Sequence, residues 1–186
     1  MRAAKLAGLT LLVVTLAYVS VEAVRVRAAA VEASVTEADI LARKKLLIPV
    51  EGLKRDQLRD NFDEGRGKRK HEALDMMAPR GTKVLAVADG RVAKLFKSVA
   101  GGITLYQFDA DEKFAFYYAH LDRYAEGLQE GRLVKRGELL GYVGTTGNAP
   151  PGAPHLHFTI FRLGPDKRWW KGTAVNPYPF FSEAKR

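Results

Sequence analysis

The stretch "ITLYQFDADEKFAFYYAHL", residues 103–121, sets two apolar, aromatic-rich runs on either side of a polar connection. Residues 103–108 and 113–121 carry the Tyr, Phe and Ile that suit a pleated surface, and "DADE" between them supplies turn residues. The pattern predicts two antiparallel strands joined by a short loop. Similar runs punctuated by Gly and Pro follow on both sides. "ELLGYVG" (138–144) and "HLHFTIFRL" (155–163) read as strands, and "KVLAVADGRVAKLF" (83–96) as a hairpin about Asp89-Gly90. The expected fold is therefore mostly β, with antiparallel sheets. "PRGTKVLAVADGRV" (79–92) also resembles "VKRGELLGYVGTTG" (134–147), each with Arg-Gly, two variable residues and a strand. Such a duplication suits a sandwich of two related halves, although glycine turns before strands are common.

A chain of 186 residues with 47% hydrophobic content is long enough for one domain with a real core. It carries a formal net charge of +9. That suits nucleic acid, an anionic surface or an acidic envelope polymer. Lys and Arg are scattered apart from "RGKRK" (66–70), and no nucleic-acid motif is present. With no cysteine there is no disulfide framework and no thiolate metal site, so a metal would be held by His and carboxylate. Arg2 and Lys5 precede the apolar run "LAGLTLLVVTLAYVSV" (6–21), which predicts a secretory signal peptide or a retained signal anchor over 1–24. Residues 25–45, Ala-rich and charged, read as a linker or short helix, and the compact domain as 46–186. Either form of the leader places the domain outside the cytoplasm, in the envelope, where the membrane is touched only through that segment.

The chain has four histidines. Side chains alternate along a strand, so His155 and His157 of "PHLHF" point one way and Leu156 the other. The same count puts Phe114, Phe116, Tyr118 and His120 on one face. His71 and Asp75 of "HEALD" are four apart, a spacing that brings them together on a helix or a strand. His71, Asp75 and one of the His155/His157 pair make a His₂Asp set, the composition of a catalytic zinc site with one position left for water. Two histidines remain to move protons or stabilise an oxyanion. "HEALD" also looks like a broken H-E-x-x-H helix with Glu72 as base. The segment is short and closed by "APRG", which leaves no room for that helix.

His-x₃-Asp, "YAHL" and "GTTGN…PHLHF", in this order and with these flanks, resemble the lysostaphin/LytM-type zinc metalloendopeptidases that cut peptidoglycan peptides. The resemblance runs from about Leu46 to Pro179. It implies a barrel-sandwich hybrid, a duplicated hybrid motif with a narrow groove, which the short helix expected from the 25–45 composition would precede. It implies one zinc per chain on His71, Asp75 and His157, with His120 and His155 as the non-ligand catalytic histidines. The family has Gly two residues after its first ligand histidine, where this chain has Ala73. Alanine fits there if its φ is negative.

Weaker features add two substrate-contact candidates. Arg69 in the basic run could steer substrate carboxylates or orient the attacked carbonyl, and Thr146 could hydrogen-bond the substrate backbone. Of the adjacent Trp169 and Trp170, alternation puts one in the core and the other over an edge or groove. The expected function is a zinc endopeptidase on peptidoglycan peptides, with room for other envelope proteins as partners and none for nucleic acid. The rival is a metal-free relative that binds and activates other cell-wall hydrolases. A histidine phosphocarrier is disfavoured by the export signal, and a lipoyl or biotinyl carrier by "ADGRV", which lacks the turn lysine.

Overall fold

A computed structural model of the chain describes residues 24–25, 36–67 and 69–182. Residues 1–23 of the expected signal or anchor and residues 26–35 of the expected 25–45 linker lie outside these residues. Among the described residues no helix is long and apolar enough to cross a membrane. The chain divides into two units, Met1–Arg43 and Lys44–Arg186. Helix α1 (Glu37–Lys44) is the helix expected ahead of the sheet. It begins on a reciprocal cap: Asp39 N–H donates to Thr36 Oγ1 at 3.2 Å, and Thr36 N–H to Asp39 Oδ2 at 2.9 Å.

The second unit is built from antiparallel strands. A two-stranded ribbon, β1 (Gly65–Arg66) with β2 (Arg69–Lys70), precedes a nine-stranded sheet. The sheet holds β3 (Leu74–Met77), β4 (Lys83–Leu85), β5 (Gly90–Ser98), β6 (Gly102–Asp109), β7 (Phe114–Tyr124), β8 (Leu133–Val134), β9 (Leu139–Val143), β10 (His155–Leu163) and β11 (Gly172–Val175). The main path runs β11-β10-β7-β6-β5-β8. Strand β10 also pairs with β3, and β9 pairs with β4 and β7. The β6–β7 hairpin forms as the sequence predicts, with Ile103 opposite Leu121 and Phe108 opposite Ala115.

The expected hairpin over 83–96 does not form. Strand β4 pairs with β9, and β5 pairs with β6 and β8. A two-residue hairpin turn of the type Asp-Gly favours needs positive φ at both central residues, and neither Asp89 nor Gly90 has it. Gly90 serves a close approach instead, because a Cβ there would overlap the Phe108 carbonyl on β6. The repeat noticed in the sequence is visible in space. Gly81 N–H donates to Val143 O, and Gly137 N–H to Ala86 O, each at 2.8 Å. The two Arg-Gly turns thus bracket the β4/β9 pair reciprocally, offset by the register shift at Val84/Leu85.

One face of the sheet is the core. Leu156, Phe158 and Ile160 of β10 and Phe116 and Tyr118 of β7 are wholly buried, together with Val84, Leu140, Val143 and Leu46. Their burial supplies the main favourable free energy of folding. Tyr118 also carries a buried polar chain. Its hydroxyl donates to Gln107 Oε1 at 2.7 Å and accepts from Val87 N–H at 3.1 Å, and Gln107 Nε2 donates to Ala88 O.

Candidate metal centre and groove

The opposite face of β10 opens onto a groove of about 570 Å³ lined by all four histidines, Asp75 and Tyr117. Register brings the acid and one imidazole together: His157 stands directly opposite Asp75 on β3 and opposite Ala119 on β7. Cross-strand neighbours share a face, and the alanine leaves space above the strand. His71 arrives from the segment between β2 and β3, where Glu72 takes φ 55° and turns the chain. That segment is not helical, so the H-E-x-x-H arrangement is absent. Glu72 lies at the groove edge. Ala73 is not among the residues of positive φ and is buried, so the position that is Gly in the resembled family accepts alanine here.

His71, Asp75 and His157 place one donor atom each within 4.8 Å of one another. His71 Nδ1 donates to the Asn61 carbonyl at 3.0 Å, which leaves a lone pair on Nε2 when the ring is neutral. That Nε2 lies 3.0 Å from Asp75 Oδ1 and 3.2 Å from His157 Nδ1. His157 Nδ1 is itself 3.0 Å from the same oxygen. With neutral rings, the His71 and Asp75 lone pairs face each other, a clash that a cation between them relieves. The two nitrogens and one oxygen suit zinc. Arg66 holds the other carboxylate oxygen, with Nη2 2.8 Å from Asp75 Oδ2. Burial opposes the Asp75 charge, but the His157 hydrogen bond and the neighbouring rings outweigh it and hold its pKa well below the carboxylate range.

His120 and His155 stand beside this trio, their rings 4.9 Å apart. His120 Nδ1 donates to Thr146 O, and His155 Nδ1 to Ala153 O, both at 2.8 Å. A carbonyl only accepts, so Nδ1 carries the proton and the neutral rings keep Nε2 as acceptor. Burial pushes His120 down to about 4, the His155 and His157 rings adding to it and the Thr146 carbonyl opposing. The ring is therefore neutral at pH 7.

The expected alternation along β7 fails at this histidine. His120 has φ 59°, and two residues of β7 oppose one of β6 between the Ile103 and Leu105 pairings. This bulge shifts the phase. Tyr117 and Ala119 face the groove and Tyr118 the core, yet His120 also reaches the groove.

Of the two substrate-contact candidates, Arg69 on β2 lines the groove beside Lys70. It has no ion-pair partner among the described residues. Thr146 plays another part. Its Oγ1 accepts from Ile103 N–H at 2.9 Å and donates to Leu121 O at 2.7 Å, so the hydroxyl is spent within the protein. What it offers the site is its carbonyl, which orients His120. Sequence reading missed Asn61, whose side chain also accepts from Asp75 N–H at 3.3 Å. It missed Arg66 and Tyr117 as well. Arg66 lay in the basic run already noted, whereas nothing local marks Asn61.

The chain is similar to known peptidases in sequence and in fold. The L-Ala--D-Glu endopeptidase of Bacillus subtilis is 31% identical over 118 residues, 61% of this chain and 35% of that protein. Among solved structures, Helicobacter pylori Csd3 has a TM-score of 0.57 and 27% identity, covering 76% of this chain and 36% of that one. The catalytic domain of lysostaphin from Staphylococcus simulans has a TM-score of 0.54 and 26% identity, covering 77% and 96%. The chain spans about a third or less of the length of the first curated relatives it matches. Residues 69–177, more than half of the chain, match the family model, and the chain belongs to peptidase family M23.

Proposed function

We propose that the chain is a zinc-dependent endopeptidase that hydrolyses peptide bonds of bacterial peptidoglycan. The observation that carries this reading is the convergence of His71 Nε2, Asp75 Oδ1 and His157 Nδ1 beside two further histidines whose Nδ1 atoms are each held by a backbone carbonyl. One zinc per chain is held by these three residues. When bound, zinc supplies Lewis acidity that lowers the pKa of a water towards ~7 and polarises a carbonyl. His120 and His155 move protons at Nε2, one taking a proton from the attacking water and the other delivering one to the departing amine. Asn61 and Arg66 fix the His71 ring and the Asp75 carboxylate. Arg69, which has no ion-pair partner among the described residues, gives one groove wall a positive charge that attracts carboxylate-bearing peptides, whereas the neighbouring Lys70 is paired with Asp63 at 2.7 Å. A substrate of this kind lies outside the cytoplasm, in keeping with the leader expected at the N-terminus.

The test is metal content and release of peptide fragments from isolated cell-wall sacculi, with and without chelator. His157→Ala should lose both metal and release. His120→Ala should keep the metal and lose about 10²–10⁴ in rate. Zinc without release would leave the chain a binding partner of other hydrolases, and a fully active His120→Ala enzyme would remove that residue from the chemistry.

A further inference from the structure

An unbroken series of aromatic rings leads out of the groove. Tyr117 meets His157 edge-on at 6.2 Å between centroids. Its cross-strand partner Tyr106 is 4.6 Å away. Trp169, on the β10–β11 connection, stands 4.9 Å from Tyr106 and 5.3 Å from Phe96. Trp170 follows at 5.2 Å. The inner rings are half-buried, whereas Phe96 is 40% and Trp170 61% exposed.

Core packing accounts for only the inner part of this series. On this face a small cluster of Phe108, Ala115 and Leu163 is covered by Trp169, Phe161 and Ala93. Trp170 and Phe96 lie beyond that cover and keep apolar surface in water. A contiguous exposed aromatic surface that joins a groove marks a binding site. Its chemistry narrows the ligand. Flat rings in series, with the Arg168 guanidinium over the Trp170 ring at 5.9 Å and paired with Asp166 at 2.6 Å, suit a ligand with apolar faces and polar edges. Pyranose rings have that character: C–H groups on the face, hydroxyl and acetamido groups around the rim.

We propose that Tyr106, Trp169, Trp170 and Phe96 form a saccharide subsite continuous with the groove, which binds N-acetylated sugar rings of the glycan to which a groove-bound peptide is attached. The inference rests on the peptidoglycan reading for the identity of the sugar. It makes the enzyme select peptides that still carry their glycan.

The chain has two tryptophans, and both belong to this shelf. Intrinsic fluorescence therefore reports directly on it. The experiment titrates the chelator-treated full chain, which cannot turn over, with a soluble peptide-free oligosaccharide of β-linked N-acetylglucosamine and N-acetylmuramic acid. The expected result is a saturable change in emission, with affinity weakened about tenfold in Trp170→Ala and reduced in Phe96→Ala, which leaves both fluorophores in place. Both side chains are exposed, and circular dichroism checks that the variants fold. Three results would overturn the proposal: no saturable response, unchanged affinity in both variants, or a response to sugar-free peptide alone. Zinc content and cleavage of a sugar-free peptide are measured separately. Cleavage without sugar binding removes the shelf and spares the enzyme; sugar binding without cleavage does the reverse.

Discussion

Replacing Thr146 by Val separates a positioning role from a substrate contact. Val keeps the branched shape and removes the hydroxyl that joins Ile103 N–H to Leu121 O. The stranded N–H is half-buried, and an unsatisfied donor of this kind costs about 1–3 kcal/mol, so a loss of ~2 kcal/mol is expected. For a domain of this size that lowers Tm by about 4–8 °C. The loop that carries the Thr146 carbonyl is then less firmly fixed, and His120 with it. Misplacement of a proton-transfer group on the ångström scale costs about 10- to 100-fold in kcat. The metal ligands lie on other segments, so zinc content should stay at the wild-type level. Thr146→Ser, which keeps the hydroxyl, should restore Tm and kcat together. The assay is thermal unfolding, metal analysis and steady-state kinetics on one peptide substrate. A variant with unchanged Tm and kcat but a raised KM would refute the reasoning and return Thr146 to the substrate.

Three more perturbations follow from the fold. Tyr118→Phe strands Val87 N–H and Gln107 Oε1 in the core and should cost about 2–4 kcal/mol in urea unfolding, leaving metal content unchanged; a loss below 1 kcal/mol would mean that water or a rotated Gln107 replaces the hydroxyl. Gly147 has φ 76°, and a Cβ there would overlap Ala100 O and Gly102 N, so Gly147→Ala should destabilise the chain and depress turnover more than Thr146→Val does. Lys44 Nζ sits 2.6 Å from buried Asp109 and 3.1 Å from Asp111. Burial disfavours its charge, yet the two carboxylates prevail and hold its pKa above the usual 10.5. A raised lysine pKa gives stability that is complete below pH 10.5 and is lost as pH climbs through the folded value. The Tm gap between wild type and Lys44→Met should therefore narrow as pH rises above 10.5, and a constant gap would exclude the ion pair as its source.

The parts legible in the sequence were those governed by short-range pattern. Two-residue periodicity and turn chemistry place β6, β7, β9 and β10 within three residues, and "HLH" sets two imidazoles on one face of β10. The Arg-Gly repeat foretells the reciprocal turns around β4 and β9. Pattern fails where a single dihedral or a distant partner intervenes. Asp89-Gly90 has the composition of a tight turn, but β9 offers β4 a better partner and β6 needs the glycine for clearance. Strict alternation along β7 breaks at His120, because its positive φ and the bulge shift the phase. The hydroxyl of Thr146 looked available and is spent on two backbone groups far away in the chain.

The sequence by itself determined an antiparallel β domain and the inventory of a His₂Asp centre with two spare histidines. Strand periodicity and metal chemistry each act on residue type at fixed spacing. Tertiary structure alone decided which nitrogen of His71, His120 and His155 faces inward. That depends on carbonyls of Asn61, Thr146 and Ala153 brought in from outside the strands. It also decided that Arg66 clamps the free oxygen of Asp75 and that Tyr117 opens the aromatic path out of the groove. These juxtapositions depend on how the segments fold against one another, and the residue pattern alone does not encode them.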